Sequence, residues 1–142
     1  MKYIGLDLGS VTCGVAASDT GFICHSVDTI RFKPDDYDTC LDKLLILLEK
    51  EKPDLIVLGL PLKNNDRIGE RAEICLEFGR VLEIESGIPV KMWDERFTTK
   101  ESEEILLEAD VSRKKRKKVI DRMAAMTILQ SYLDSGENRK GV

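Results

Sequence analysis

An α/β fold, a mixed five-stranded sheet flanked by helices with its first three strands antiparallel, follows from three features of the sequence. Alternating apolar stretches at the N-terminus are separated by glycine-containing turns, the mark of successive hairpin strands. A helix-spaced segment then leads into Leu55–Leu60, a continuous apolar run of the kind buried on both faces of a sheet, which implies a parallel crossover. Finally, 142 residues suffice for one domain with a real core and are too few for two lobes.

Taken in order, Tyr3 to Leu8 alternates around Gly5 and Asp7 and exits through Gly9-Ser10, as a strand with a tight turn does. Val15–Ser18 and Phe22–Ile30 flank the turn Asp19-Thr20-Gly21 and give two more strands. Asp35 to Lys52 places Leu41, Leu44, Leu45 and Leu48 at helical spacing after an acidic start that suits a helix N-terminus, and Pro53 stops it. After the buried strand, a helix over Arg67–Ser86 carries Ala72, Cys75, Leu76, Gly79, Val81 and Leu82 on or near one stripe and ends at Gly87. Pro89–Trp93 reads as a short strand. Thr98 and Glu101 form a capping box that starts a helix to about Ala109, and a last helix spans Lys115–Leu133. Residues 1–134 thus make a single domain, with 135–142 as a flexible polar tail.

Charge is distributed unevenly. The net charge is -4, yet Val111–Arg122 holds seven basic residues and one acid, a local +6 that leaves -10 on the rest. The apolar fraction of 42% excludes intrinsic disorder. No apolar run approaches the roughly 18 residues of a membrane helix, and the N-terminus lacks a signal-peptide pattern. The four cysteines have no CxxC pair and only His25 beside them, so no zinc site of usual spacing can form and a cytoplasmic location with reduced thiols is expected.

Chemistry concentrates on acidic positions. Asp7 lies inside an apolar strand just before a glycine turn, where an unpaired carboxylate would lose several kcal/mol of solvation; it needs a hydrogen bond, a proton or a cation. Capping of its own turn is the alternative. Asp121 shares a helical stripe with Ala125, Ile128 and Tyr132, a face that should pack on the sheet, unless it pairs with Lys117 or Lys118 one turn back. Asp94-Glu95-Arg96 follows the last strand, where open α/β sheets present ligand groups. Were these acids to converge, two carboxylates about 4 Å apart would repel by roughly 4 kcal/mol at an effective dielectric of 20, and a divalent cation would reverse that. Oxygen ligands alone favour Mg²⁺ or Mn²⁺.

Two basic regions suit a nucleic-acid partner. The loop Leu60–Arg71 combines small polar residues, Arg67, Arg71 and a helix N-terminus, a set that binds phosphate; an ordinary loop with Asn65 or Asp66 as N-cap is the alternative. Arg113, Lys114, Lys115, Arg116, Lys117 and Lys118 precede Asp121, whereas most such runs are simply solvated helix faces. Neutralising about five phosphates would give a log-log salt slope near -4.5 on a duplex or about -3.5 on a single strand. Trp93 and Phe97 could stack on bases, but core packing is the commoner use.

Ile4-Gly5-Leu6-Asp7-Leu8-Gly9 with Gly14–Asp19, then Val57–Leu62, then Trp93–Thr99, and lastly Val119–Ala125 with Ile128–Leu133 together resemble the YqgF family. Its members are bacterial pre-16S rRNA nucleases, also described as RuvX or RuvC-like Holliday junction resolvases. The resemblance spans about residues 2 to 134 and implies an RNase H-like fold and a divalent-metal nuclease. Carried over position by position, it makes Asp7, Glu95 and Asp121 catalytic metal ligands, with Asp94 auxiliary. They would hold one or two Mg²⁺ or Mn²⁺ ions that activate a water for phosphodiester cleavage. Arg67, Arg71, Arg96 and the 113–118 run would contact the nucleic acid. The implied substrate is the 5' end of precursor 16S rRNA during ribosome biogenesis, with the ribosome or its assembly intermediates as partners. Val11-Thr12-Cys13 and Arg67 depart from the family pattern at positions of substrate contact.

Three alternatives accompany this reading. A branched-DNA resolvase would use the same acids. A noncatalytic RNA-binding assembly factor would use the basic run and leave the acids to structure. Asp7-Leu8-Gly9-Ser10-Val11-Thr12-Cys13-Gly14 also resembles the phosphate hairpin of actin-like and sugar-kinase-like ATP-binding proteins, but the chain is too short for their two lobes.

Overall fold

The structure is a computed structural model that describes residues 1–62, 69–95 and 113–139, with 113–122 and Arg139 described as backbone only. Strands β1 (Tyr3–Leu8), β2 (Thr12–Ser18) and β3 (His25–Arg31) form an antiparallel meander. Helix α1 (Tyr37–Glu51) crosses to β4 (Leu55–Leu60), and α2 (Glu70–Ser86) crosses to β5 (Val90–Asp94), both strands running parallel to β1. The last described helix, α3, covers Arg113–Asp134. The sheet order is β3-β2-β1-β4-β5, the expected mixed sheet with helices on both faces.

Each helix end has a local cause. Asp36 caps α1, its carboxylate accepting from the Thr39 amide at 3.3 Å and the Thr39 hydroxyl at 2.7 Å. The chain leaves α1 through Lys52 in the left-handed region, just before Pro53. Helix α2 ends at Gly87, whose φ of 72° is open to glycine and strained for other residues.

Several boundaries differ from the sequence expectation. The N-cap of α2 is Gly69, which has no side-chain acceptor, and the expected caps Asn65 and Asp66 lie outside the described residues. Strand β2 begins at Thr12 rather than Val15, because Cys13 and Gly14 pair with Leu8 and Asp7. Strand β3 begins at His25 rather than Phe22, since Gln130 of α3 engages the intervening loop: its side chain donates to the Phe22 carbonyl at 2.7 Å and accepts from the Cys24 amide at 3.1 Å. Helix α3 starts two residues before the expected Lys115. Beyond it, Glu137–Arg139 form a 3-10 turn, and Asn138 donates to the Gly21 carbonyl at 3.3 Å. The Thr98–Glu101 capping box and the helix expected to Ala109 lie outside the described residues.

Alternation along β1 divides the core. Ile4, Leu6 and Leu8 face α1 and α2 in a cluster with Leu44, Leu48, Leu58, Phe78 and Leu82. Tyr3 faces α3 with Ala125, Leu129, Tyr132 and Leu133. On that second face Gly5 lets the helix come close: a Cβ at Gly5 would sit 2.5 Å from the Leu129 Cβ and 3.0 Å from the Ala125 carbonyl. Among the described residues no helix is long and apolar enough to cross a membrane, and all four cysteines are free thiols.

Candidate active site

Asp7 follows Tyr3 and Gly5 on the α3 face of β1, at the C-terminal end of the strand. Because β1, β4 and β5 are parallel, their C-terminal ends share one edge of the sheet. Leu6 pairs with Leu58, so one residue further Asp7 is level with Gly59, and Gly59 in turn pairs with Trp93. Glu95 follows directly after β5. Its carboxyl group lies over Gly59: a Cβ there would overlap the Glu95 Oε1, sit 2.9 Å from its Cδ and 2.6 Å from the Ile128 Cδ1. A glycine inside an otherwise apolar strand is therefore a cradle for an acid, and its position in Leu55–Leu60 is the sequence signal that could have shown it.

Asp7 and Glu95 are hydrogen-bonded to each other. Burial, reinforced by the negative charge of Asp7 and the hydrogen bond with it, pushes the Glu95 carboxyl up to about 8; Arg71 opposes the shift and Asp94 adds to it. At neutral pH and without a cation the pair holds a proton between its oxygens. Two carboxyl groups forced together in a half-buried pocket form an all-oxygen donor set, and such a set fits a hard divalent cation. The neighbouring thiols shift in both directions, the hydrogen bond from Cys13 holding Cys40 below its ordinary value. Burial pushes Cys75 up to about 11, and its hydrogen bond with Cys40 together with burial holds the Cys13 thiol well above its ordinary range.

The third expected acid, Asp121, belongs to α3. The rings of Tyr132 and Tyr3 are 6.2 Å apart, and the preceding turns of α3, at Leu129 and Ala125, cross Gly5. Asp121 stands four residues, about one turn, before Ala125 on the same helix. The Asp121 side chain is outside the described atoms, as are those of Arg113, Lys114, Lys115, Arg116, Lys117 and Lys118. Arg67 and Arg96 lie outside the described residues altogether. Among the described residues no group of three His, Cys, Asp or Glu side chains gathers into a metal site, so Asp94 does not complete one with Asp7 and Glu95.

Arg71 turns inward. Its guanidinium donates to the Tyr37 hydroxyl at 2.7 Å and to the Leu8 carbonyl at 2.9 Å, tying the first turn of α2 to α1 and to the end of β1. Trp93 packs edge-on to Tyr132 with ring centroids 5.3 Å apart and donates its indole N–H to the Ser131 hydroxyl at 3.1 Å, so it serves the α3 interface.

A mixed sheet of this order, with carboxyl groups meeting where its parallel strands end, is the architecture of the RNase H-like, RuvC-type class. The fold is that of RuvC from Thermus thermophilus solved in complex with a Holliday junction substrate, with a TM-score of 0.63 over 96% of this chain and 97% of that one. Identity there is only 15%, a likeness of fold. The chain belongs to the RuvX family, described as Holliday junction resolvase, whose pattern matches residues 1–135. A Staphylococcus carnosus protein named "Putative pre-16S rRNA nuclease" is 50% identical over 136 residues, covering 94% of this chain and 96% of that one. A Bacillus subtilis protein of the same name is 48% identical, covering 95% and 99%. Family and relatives alike place the chain among hydrolases of phosphodiester bonds.

Proposed function

We propose that this protein is an endonuclease, dependent on Mg²⁺ or Mn²⁺, that trims the 5' end of precursor 16S rRNA in the cytoplasm during ribosome biogenesis. The observation that carries the metal-dependent chemistry is the Asp7–Glu95 carboxyl pair seated over Gly59. Asp7 and Glu95 would hold the cation, with Asp121 of α3 as third ligand and Asp94 as an outer acid. When bound, the cation supplies Lewis-acid polarisation of the phosphodiester and a water of lowered pKa. The chain's own residues do the rest. Gly59 leaves room for Glu95, with Ile128 of α3 packed against the same position. The basic run 113–118, with Arg67 and Arg96, would draw in the polyanionic backbone. The choice of precursor 16S rRNA follows the names of the relatives at 48% and 50% identity.

The family description and the RuvC fold favour a second reading, cleavage of four-way DNA junctions. A noncatalytic assembly factor has less support, since the two carboxyl groups meet at a cost in charge repulsion that structure alone does not require. A cleavage assay on precursor 16S rRNA and on a four-way junction, with and without Mg²⁺, separates the readings. Metal-dependent cutting of the RNA by the wild type, lost by at least a thousandfold in Asp7→Asn with RNA binding retained, is the expected result. Preferential cutting of the junction would reassign the substrate, and retained activity in Asp7→Asn would remove Asp7 from the site.

A further inference from the structure

Arg71 is where sequence and structure part most clearly. A cation in the first turn of a helix faces the positive end of the helix dipole, and this one is also half-buried. Among the described residues its hydrogen bonds go to the Tyr37 hydroxyl and the Leu8 carbonyl. Leu8 is the residue after Asp7 and the last of β1, where the strand opens into the turn closed by the Gly9 amide on the Thr12 carbonyl at 2.7 Å. The guanidinium thus joins three elements beside the carboxyl pair, its two terminal nitrogens each meeting one acceptor in the fixed geometry of a planar fork.

We propose that Arg71 is a positioning residue of the active site: by holding the Leu8 carbonyl against the Tyr37 hydroxyl, it fixes the strand end on which Asp7 stands. It does not serve as a phosphate ligand. This inference rests on the metal-dependent reading of the Asp7–Glu95 pair. Tyr37 belongs to the same device, because its hydroxyl anchors the far side of the fork. A ligand displaced by about 1 Å can lower a rate a hundredfold, so a distant hydrogen bond is enough to control the site.

The test uses the full chain with Arg71→Lys, Arg71→Met and Tyr37→Phe. Three quantities are read: affinity for Mn²⁺ by calorimetry, affinity for precursor rRNA in EDTA by fluorescence anisotropy, and kcat and KM for cleavage. Circular dichroism establishes that each variant is folded. Expected are a Mn²⁺ affinity at least tenfold weaker and a kcat about a hundredfold lower in Arg71→Met. Smaller losses of the same kind are expected in Arg71→Lys and Tyr37→Phe, with RNA affinity in EDTA unchanged within twofold throughout. RNA affinity falling tenfold while Mn²⁺ affinity and kcat hold would overturn the proposal and restore Arg71 as a substrate contact. Wild-type Mn²⁺ affinity and kcat in both Arg71→Lys and Tyr37→Phe would also overturn it, even if Arg71→Met fails to fold. A wild type that neither binds Mn²⁺ nor cleaves would instead defeat the underlying reading of the site.

Discussion

The two faces of one strand do opposite work. On the α1/α2 side of β1, Ile4, Leu6 and Leu8 enter a closed apolar core, so every position of β1 on that face carries a large side chain. On the α3 side, Tyr3 gives way to Gly5 and then to Asp7, so side-chain bulk falls along the strand and a carboxyl group ends it. The neighbouring strand repeats the contrast: Ile56 and Leu58 face the first side, whereas Val57 is followed by Gly59 on the second. A sheet can thus devote alternate residues to stability and to chemistry, with glycines bringing the helix and the acid close to the strands.

The largest test of that division pairs Asp7→Asn with Leu58→Ala. Asp7→Asn should lower metal-dependent cleavage by at least a thousandfold, about 4 kcal/mol of barrier, without loss of stability, since it removes the negative charge that opposes ionisation of Glu95 and leaves a side chain able to hydrogen-bond to it. Leu58, fully buried, should cost about 2–5 kcal/mol when truncated to Ala. Its folded fraction should cleave within a few-fold of wild type. Urea unfolding beside the cleavage assay checks both, and a Leu58→Ala protein that is stable but inactive would show that the faces are not separable.

Gly59→Ala sharpens the comparison at the site itself. The added Cβ collides with the Glu95 carboxyl and with Ile128, a clash that should cost about 1–3 kcal/mol and reduce cleavage at least tenfold. Adding Glu95→Ala should recover part of the lost stability and none of the activity, a non-additivity readable in a double-mutant cycle.

A smaller effect is expected from pH in the metal-free protein. Glu95 titrates near 8 in the fold, against an ordinary value of 4.5. Between those values the folded chain keeps a proton that the unfolded chain has released, so stability falls as pH rises through the window. In EDTA the Tm of Glu95→Gln should therefore gain on wild type from about pH 5 to pH 8 and run parallel to it above that. A constant difference across the range would mean that Glu95 is ionised throughout.

How much of this was legible beforehand follows the range of the interactions. Strands β1 and β4, the stop of α2 at Gly87 and the Asp36 start of α1 rest on neighbours within a few residues, and the sequence reading placed them well. Asp7 was legible for the same reason, as a charge inside an apolar strand. Arg71 was not, because its partners Tyr37 and Leu8 are 34 and 63 residues away and only the folded sheet brings them together. The contact of Glu95 with Gly59 was missed likewise: it depends on β5 joining β4 in a register that pairs Gly59 with Trp93. The start of β3 was set too early because Phe22 and Ile23 are apolar yet exposed, in a loop engaged by a glutamine more than 100 residues on.

That glutamine supplies the smallest test. Gln130 accepts from the Cys24 amide and donates to the Phe22 carbonyl and to Asp134, so it latches the β2–β3 loop to the end of α3 away from the acids. Much of this contact is solvent-exposed, and a typical hydrogen bond contributes about 0.5–1.5 kcal/mol net. Gln130→Ala should therefore cost about 1 kcal/mol in urea unfolding. The amide of Cys24, deprived of its acceptor, should exchange with solvent faster, while cleavage stays at the wild-type rate. A fall in cleavage of tenfold or more in this variant would mean that the register of α3 on the sheet reaches the acids from its far end, and that the α3 face acts as one lever from Tyr132 to Asp121.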